Sequence, residues 1–547
     1  MGRPAPAVPG GPSAAGAARR GGRLTGWLAL AGIAASILIM IAVSVAGPSR
    51  AVVKISAPAA GPPWWIPLHP SVVLVTIALW VAVVCGVAGV VAGLVAVARG
   101  ARLPARLLVG AALAVTAAFA VLPPAGSTDT LDYAAYGRMV VIGGSPYRMT
   151  PHRLQMTGDP VGAAIPKTWQ HKFSVYGPLA TAEQAAAALA GGTSPARITF
   201  WLKLWNALAF GAVVLALDRL LRSDPARRAR AHLLWSVNPL LLWGLVAGGH
   251  VDAIAAALAF AGLLVAGRLP RGGSPGVGRG LAAGALVGAA ADIKIPFILF
   301  GLGIAWAARR QVRLLTAAAA GGLLVLVPSY LWSGPPAVRV LLYRDASATS
   351  DNFYQLLARP FNRGHLPDLM LLAVPLLLAV IWLMLRRLPA GLPAWPAVRP
   401  ALALSLAWLL VWPYQRPWYD AMALCLLALY PATRLDWPVL ARLSAGTLYY
   451  LPGMPGPLPG GLGSLLHEER VLLVPLIRFA ALVAVVVLCV TGAWHSSRRQ
   501  QPGRRWISVR TPGGQLPAPA VHAPVGVPPV NGHDGADQPG TRLPGPG

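Results

Sequence analysis

The sequence predicts an all-α protein whose helices cross a membrane many times. Hydrophobic residues make up 56% of the 547-residue chain and charged residues only 12%, whereas a soluble protein is nearer a quarter charged. Apolar runs of roughly 18 or more residues recur along the whole chain, and each is long enough to span a bilayer as a helix. Counting these runs predicts a bundle of roughly 12–14 transmembrane helices, in which some short pairs are re-entrant.

The predicted orientation follows from the arginines. The chain has 46 basic and 17 acidic residues and a formal net charge of +29. Most arginines fall in short loops between apolar runs, which is the positive-inside pattern of membrane proteins and not the basic, aromatic stripe of nucleic-acid binding. We therefore expect no nucleic-acid partner and a cytoplasmic position for the loops Arg99–Arg106, Arg222–Ala231, Arg268–Arg279, Arg309–Arg313 and Arg386–Arg399.

The apolar runs divide the chain into three parts. Residues 1–24 are predicted to be a disordered, basic cytoplasmic tail, and residues 495–547 a disordered Pro/Gly-rich cytoplasmic tail. Residues 25–494 form the transmembrane domain. The first span, from about Thr25 to Ala46, has a basic front and fits either a cleaved signal peptide or a retained anchor. Its apolar part exceeds the usual 7–15 residues of a signal peptide, which favours the anchor.

No cofactor or metal site is predicted. The three cysteines, Cys85, Cys425 and Cys489, lie inside apolar runs and have neither metal-ligand nor disulfide spacing. No phosphate-binding loop of a nucleotide enzyme is present in a strand-to-helix context. Two acids one turn apart, Asp129 and Asp132, are too few for a convincing divalent-ion site.

Those two acids follow the third predicted span, at an outer edge of the bilayer. The segment "DTLDYAAYGRMVV" has a helical pattern, which places Asp129 and Asp132 on one face. The simpler interpretation is an N-terminal helix cap, at Thr128 or Asp129, beside a solvated acid. Because so few acids occur in this chain, the pair is also a candidate catalytic site.

Other unusual polar residues fall on the same predicted side of the membrane. They occur in the first long outer loop, in "GGHVD", in "ADIKIP", in the loop from Tyr343 to Tyr354 and in "WPYQRPWYD". Ionisable residues at membrane depth are costly and usually face a cavity. Each segment has a structural alternative, such as a buried polar pair or an interfacial aromatic belt. Together they favour one shared extracytoplasmic pocket.

Acids, basic residues and aromatic rings at an outer membrane surface suit transfer from a lipid-linked phosphosugar. A carboxylate accepts a proton from a hydroxyl nucleophile, and Lys or Arg holds the phosphate leaving group. Tyr and Trp rings stack on sugar faces. The lipid chain of such a donor would lie in the bilayer.

Five motifs in order carry a family resemblance: "DTLDYAAYGRMVVIGGSPY", "SVYGPL", "NPLLLWGLVAGGHVD", "AADIKIP" and "QRPWY". Together they resemble the bacterial polyprenol-phosphomannose-dependent alpha-1,6-mannosyltransferases (the MptA/MptB type), from the first span to the last and without the tails. The resemblance implies a GT-C-like membrane bundle with catalytic extracytoplasmic loops. It also implies inverting transfer of mannose from polyprenyl-phosphate mannose.

The resemblance also assigns site residues. Asp129 matches the family's acid, with Asp132 as the second candidate base, and Lys294 matches a lysine suited to the donor phosphate. Three positions depart from the family pattern: Asp132 stands where the family usually has a small polar residue, Val251 replaces an Asn, and Arg416 is inserted as a further phosphate-binding candidate. The residues expected to bind substrate are Tyr133, Tyr136, Arg138, Tyr147, Tyr176, His250, Asp252, Lys294, Gln415, Arg416, Trp418 and Tyr419.

The predicted partners are a polyprenyl-phosphate sugar donor, a glycan or glycolipid acceptor and the lipid bilayer. The predicted location is the cytoplasmic (inner) membrane, with both termini inside and the active site outside. Two alternatives stay open: a GT-C transferase for another lipid-linked sugar, and a transporter or flippase that uses its acids as proton relays. A transporter would place its charges near the bilayer midplane, reachable from both sides.

Overall fold

The computed structural model describes residues 14–58, 60–267, 276–342, 352–361, 366–453 and 458–495. Within these ranges the chain is helical, and the β-structure that occurs is an isolated bridge between Val52 and Ala125. The predicted all-α class is therefore confirmed. Helix α1 begins at Ala14, inside the predicted N-terminal tail. Residues 1–13, 343–351 and 496–547 lie outside the described residues, and with them most of the two predicted tails.

Twenty-three α-helices occur in the described ranges. They are α1 Ala14–Val45, α2 Val72–Ala98, α3 Ala105–Ala120, α4 Asp129–Val141, α5 Pro151–Met156, α6 Pro160–Ala163, α7 Pro178–Gly191, α8 Pro195–Leu220, α9 Pro225–Ala231, α10 Pro239–Leu241, α11 Asp252–Ala266, α12 Val277–Ile293, α13 Ile298–Ala307, α14 Val312–Ser333, α15 Pro335–Leu342, α16 Phe353–Ala358, α17 Leu366–Leu371, α18 Ala373–Arg387, α19 Val398–Val411, α20 Ala421–Leu429, α21 Asp436–Tyr450, α22 Gly460–Glu468 and α23 Val474–Thr491. Short 3₁₀ turns occur at Ile295–Phe297, Arg359–Phe361 and Pro417–Asp420, and π-helical segments at His232–Ser236, Leu242–Ala247 and Glu469–Leu473.

Six helical segments in the described ranges are long and apolar enough to cross a membrane, so this is a multi-pass membrane protein. They are Leu24–Val45, Val72–Ala98, Pro195–Leu220, Val312–Ser333, Leu369–Arg387 and Gly460–Thr491. A seventh span results if the bent pair Pro225–Ala247 and Asp252–Ala266 is counted as one. The predicted roughly 12–14 spans exceed this number, because several apolar runs form shorter helices: Ala105–Ala120, Ile295–Ala307, Val398–Val411 and Pro417–Leu429.

Small residues let neighbouring helices approach closely. In α12, Gly280, Gly284 and Gly288 recur every fourth residue and form one stripe that faces α14. A Cβ atom on Gly284 would lie 1.9 Å from the carbonyl oxygen of Ala318 in α14. Apolar side chains gain little by leaving lipid, so close backbone packing of this kind is what holds membrane helices together.

Breaks between short helices carry the polar motifs. The chain bends by 113° between Ala247 and Asp252, at the turn that contains His250. Lys294 lies in extended backbone after α12, and Arg416 lies in extended backbone before the 3₁₀ turn at Pro417. Proline lacks the N–H that a continuing helix needs and restricts the residue before it, so Pro296 and Pro417 favour these breaks. Each break leaves an ionisable side chain inside the bundle.

Candidate active site

The breaks meet around a cavity of about 980 Å³. Nine of the fourteen predicted site residues line it: Asp129, Asp132, Tyr133, Tyr136, Tyr176, Lys294, Arg416, Trp418 and Tyr419. Loop residues from Trp169 to Val175 form another part of the wall. Apolar residues complete it, namely Ile295, Pro296, Met370, Leu371, Ala373, Val374, Trp412 and Pro413. The cavity thus joins acids, cations, aromatic rings and an apolar edge.

Asp129 is the first residue of α4 and its carboxylate is buried. Its Oδ2 atom lies 3.5 Å from His250 Nε2, and its backbone N–H donates to Ser127 Oγ at 3.2 Å. Burial opposes ionisation, but the imidazole of His250 and the guanidinium of Arg416 outweigh it, so the pKa of Asp129 lies below its usual value. Neither Asp129 nor Thr128 makes a side-chain cap hydrogen bond. The geometry therefore does not support the helix-cap interpretation.

Asp132 lies one turn further along α4 in a different environment. Its Oδ1 atom is buried without a hydrogen-bond partner in the described part of the chain. Burial and the nearby charge of Asp129 raise the pKa of Asp132 well above its usual value. The environment of the first carboxyl therefore favours its ionised form, and that of the second favours its neutral form.

His250 has contacts on one face of its ring and at both ring nitrogens. Its imidazole stacks on Trp418, with ring centroids 3.5 Å apart and planes inclined by 14°. Its Nδ1 atom lies 2.5 Å from the Gly244 carbonyl oxygen and must donate to it. Its Nε2 atom faces the carboxylate of Asp129. Both ring nitrogens of His250 therefore face oxygen atoms.

Two cations also line the cavity. Lys294 Nζ lies 2.6 Å from Asp252 Oδ2 and 3.9 Å from the centre of the Tyr419 ring. Arg416 lies over the rings of Tyr414 and Tyr450, at 5.0 and 5.6 Å. No carboxylate among the described residues lies within salt-bridge distance of Arg416. Lys294 and Arg416 are therefore the cavity-lining groups best suited to an anionic ligand.

The tyrosines form a second hydrogen-bonded wall. The hydroxyls of Tyr133 and Tyr176 are 3.0 Å apart, and the Tyr136 hydroxyl donates to the Lys172 carbonyl at 3.3 Å. Burial, with Tyr176 and Asp129 nearby, raises the pKa of Tyr133 well above its usual value. Tyr133 is therefore a neutral hydroxyl at physiological pH and a hydrogen-bonding group for a sugar.

Five predicted binding residues lie behind the cavity lining or away from it. His250 contacts Asp129, and Asp252 contacts Lys294. Tyr147 supports Tyr176, whose carbonyl accepts its hydroxyl at 3.0 Å. Arg138 pairs with Asp159 at 2.7 Å. Gln415 contacts the carbonyls of Trp408 and Trp412 and the guanidinium of Arg442.

The sequence reasoning missed three residues around the site. Tyr450, from α21, packs edge-on against Trp418 with ring centroids 4.9 Å apart. Lys203 and Asn206, from α8, contact backbone carbonyls near Asp129 and His250. A signal for Lys203 was available, since it is one of only five lysines and interrupts the apolar run "FWLKLWNALAF". Tyr450 offers no such signal, because its neighbours become adjacent only in the fold.

The described residues do not support a metal site. In the described ranges, no group of three or more His, Cys, Asp or Glu side chains converges to hold an ion. The predicted absence of a metal stays a prediction.

Comparison with known proteins identifies relatives of the chain. The family model described as "Alpha-(1->6)-mannopyranosyltransferase, N-terminal domain" matches residues 29–310, just over half of the chain. This range includes Asp129, His250, Asp252 and Lys294 but ends before Arg416. A Mycolicibacterium smegmatis protein described as "Probable alpha-(1->6)-mannopyranosyltransferase" is 29% identical over 142 residues, which is 26% of this chain and 25% of that protein.

A solved structure also aligns with the chain. Arabinosyltransferase EmbB from Mycobacterium smegmatis matches over 77% of this chain and 42% of its own, at 14% identity and a TM-score of 0.33, which is too low to support a shared fold. The chain thus spans about a quarter of the curated relative and under half of the structural one. The family match is the decisive finding, and it confirms the resemblance drawn from the five motifs. The chain belongs to the alpha-(1->6)-mannopyranosyltransferase family of glycosyltransferases.

Proposed function

We propose that this protein transfers mannose from polyprenyl-phosphate mannose to a hydroxyl of a glycan or glycolipid, with inversion at the sugar carbon. The observation that carries the proposal is the pairing in one cavity of an ionised carboxylate, Asp129, with two cations, Lys294 and Arg416. Family membership supports the mannosyl group. The arginine-rich loops support an extracytoplasmic site in the cytoplasmic membrane, with both termini inside.

In the proposed reaction Asp129 removes the proton of the acceptor hydroxyl as its oxygen attacks the anomeric carbon. The bond between that carbon and the phosphate oxygen breaks, and its electron pair stays on the oxygen. Polyprenyl phosphate leaves as an anion, and Lys294 and Arg416 stabilise the charge that develops on it. One displacement from the opposite face inverts the configuration.

The rest of the cavity suits the two substrates. The carboxyl of Asp132, whose pKa burial raises, and the hydroxyl of Tyr133 are hydrogen-bonding groups for sugar oxygens. On the apolar edge, Leu371 and Val374 are 75% and 53% exposed. Such a surface suits a polyisoprenyl chain that stays in lipid while the phosphosugar enters the cavity. An aqueous transport route would need polar walls there.

The proposal is tested with the full chain in nanodiscs, labelled polyprenyl-phosphate mannose and a short mannoside acceptor. We expect label in the acceptor, at a new glycosidic bond whose anomeric configuration is opposite to that of the donor. Mannose 1-phosphate, which lacks the lipid, is the matched control donor and is expected to give no product. Transfer from polyprenyl-phosphate arabinose alone would favour the other-sugar alternative. Flipping of the lipid-linked sugar without transfer would favour the flippase.

A further inference from the structure

A lysine lies in the first half of the membrane-spanning helix α8. Lys203 is 0% exposed, and its Nζ atom donates to the carbonyl oxygens of Leu122 and Pro123 at 2.6 and 3.1 Å. A polar amine inside an apolar helix is costly, and such residues are usually held by specific partners. Here the partners are backbone groups just beyond α3, so the side chain fixes the path of the chain there.

The same face of α8 holds a second backbone segment. Asn206 lies one turn after Lys203, and its Nδ2 atom donates to the Gly249 carbonyl at 3.5 Å. The aliphatic part of the Lys203 side chain packs against that glycine as well, since a Cβ atom on Gly249 would lie 2.9 Å from Lys203 Cγ. Gly249 has a φ of +65°, which suits glycine and lets the turn lie against the stem.

These two segments lead directly to the acid and the imidazole of the site. Pro123 precedes Asp129 by six positions, and Gly249 immediately precedes His250. The two side chains meet at 3.5 Å, although they come from parts of the chain that are 121 residues apart. Lys203 contacts both segments without lining the cavity.

We propose that Lys203 is a positioning residue that sets the distance between Asp129 and His250. This inference rests on the proposed function, in which Asp129 is the base. When the Nζ atom is removed, two buried carbonyls lose their donor and the segment that leads to Asp129 is free to shift. The imidazole of His250 then lies further from the carboxylate of Asp129 and lowers the pKa of Asp129 less.

A pH profile separates this role from a purely structural one. The acid limb of transfer reports the protonation of the base, so a larger separation from His250 moves that limb to higher pH. A defect in folding alone lowers the amount of active protein at every pH and leaves the limb in place. Lys294 and Arg416 are untouched by the change, so the donor KM is expected to stay constant.

The test compares wild type with Lys203→Met, which keeps the length of the stem but removes the donor. We expect kcat to fall about 10-fold or more, the acid limb to move up by about 1 pH unit, and the donor KM to stay within about 2-fold. Lys203→Arg, which keeps N–H donors, is expected to fall between wild type and Lys203→Met. Lys54→Met, at an exposed position, is the matched control and is expected to behave as wild type.

Two results would overturn the inference while wild type is active: an unchanged acid limb in Lys203→Met, or a changed donor KM at constant kcat. If Lys203→Met does not fold, Asn206→Leu removes the other contact and is expected to move the limb in the same direction. Absence of transfer by wild type would count against the proposed function. The inference is then tested by the cryo-EM structure of the variant, where an Asp129–His250 separation still at 3.5 Å contradicts it.

Discussion

Two carboxyl groups one helical turn apart in α4 have pKa values that are shifted in opposite directions. Asp129 has compensating charges nearby, whereas Asp132 has burial and a like charge. An ionised carboxylate accepts a proton, and a protonated one donates a hydrogen bond. The difference in environment therefore assigns the role of base to Asp129 in the proposed mechanism, and leaves Asp132 to bind a sugar oxygen.

This assignment predicts that Asp132→Asn retains transfer. An amide resembles the protonated carboxyl in size and still donates a hydrogen bond, so kcat/KM is expected to stay within about 3-fold of wild type. Asp132→Ala, which removes the donor, is expected to lose about 5- to 10-fold. Steady-state transfer assays on both variants measure the effect. A loss of activity in Asp132→Asn as severe as that in Asp129→Asn would contradict the assignment of the base to Asp129.

Lys294 pairs with Asp252, and in the proposed mechanism it holds the donor phosphate. Lys294→Met is expected to reduce kcat/KM about 10- to 100-fold, because one charge-assisted hydrogen bond to the leaving phosphate is lost. Kinetics with varied donor concentration give the value. Lys167→Met, at an exposed outer-loop position, is the matched control. Unchanged kinetics in Lys294→Met would place the phosphate elsewhere.

At the scale of elements, the site is built from the ends of short helices. Four ionisable residues stand at breaks between helices: Asp129, His250, Lys294 and Arg416. Gly177 brings the loop of Tyr176 against the break that contains Lys294. The Asp292 carboxylate at the end of α12 accepts the N–H of Leu179 at 3.0 Å. This contact fixes the start of α7 relative to Lys294. The breaks therefore determine which side chains can meet.

The close approach at Gly177 gives a sharp prediction. A Cβ atom there would lie 1.7 Å from the carbonyl oxygen of Asp292, so Gly177→Ala must push the loop away from α12. We expect a fall of several degrees in melting temperature and a transfer rate reduced about 10-fold or more. Gly110→Ala, in helix α3, is the matched control, because a Cβ atom there has open space around it. A wild-type transfer rate in Gly177→Ala would show that the position of Tyr176 is unimportant.

Much of this arrangement was predictable from the residues. Ionisable side chains beside Gly or Pro in apolar runs pointed to His250, Lys294 and Arg416, and the last two line one cavity. The pairings were not predictable, because residues far apart in sequence form them: Asp129 with His250, Lys294 with Asp252, and Gln415 with Arg442. Arg138 was expected at the site but pairs with Asp159, since its face of α4 points towards α6.

At the scale of the whole molecule, full-length spans surround a core of short, broken helices. The spans expose apolar side chains, as a lipid environment requires, while α4, α10 and α20 are almost wholly buried. Buried polar groups in this core are stable only when partners satisfy them. The protonation of the buried ionisable groups therefore links the stability of the molecule to pH.

Glu183 in α7 provides a test of that link. Both of its carboxylate oxygens are buried without a hydrogen-bond partner among the described residues, and burial raises the pKa of Glu183 to about 8. Burial favours the neutral form of Glu183 in the folded state. The contribution of this carboxyl to the free energy of unfolding is therefore present at low pH and is lost as the pH rises from about 4.3 towards 8. Glu183→Gln is therefore expected to raise the melting temperature at pH 8 and much less at pH 4.

Melting curves in detergent at both pH values measure this difference. Glu468→Gln, at an exposed position of the same chemistry, is the control and is expected to change neither curve. An equal shift of the melting temperature at pH 4 and pH 8 for Glu183→Gln would mean that ionisation of this carboxyl is not the cause.

The most direct test of the central claim compares wild type with Asp129→Asn at matched membrane levels, using labelled polyprenyl-phosphate mannose and a mannoside acceptor. The account predicts transfer by wild type that is constant across neutral pH, because the base has a low pKa and stays ionised. It predicts a loss of about 100-fold or more in Asp129→Asn, since an amide cannot accept the proton. Transfer by Asp129→Asn at a rate close to that of wild type would contradict the account.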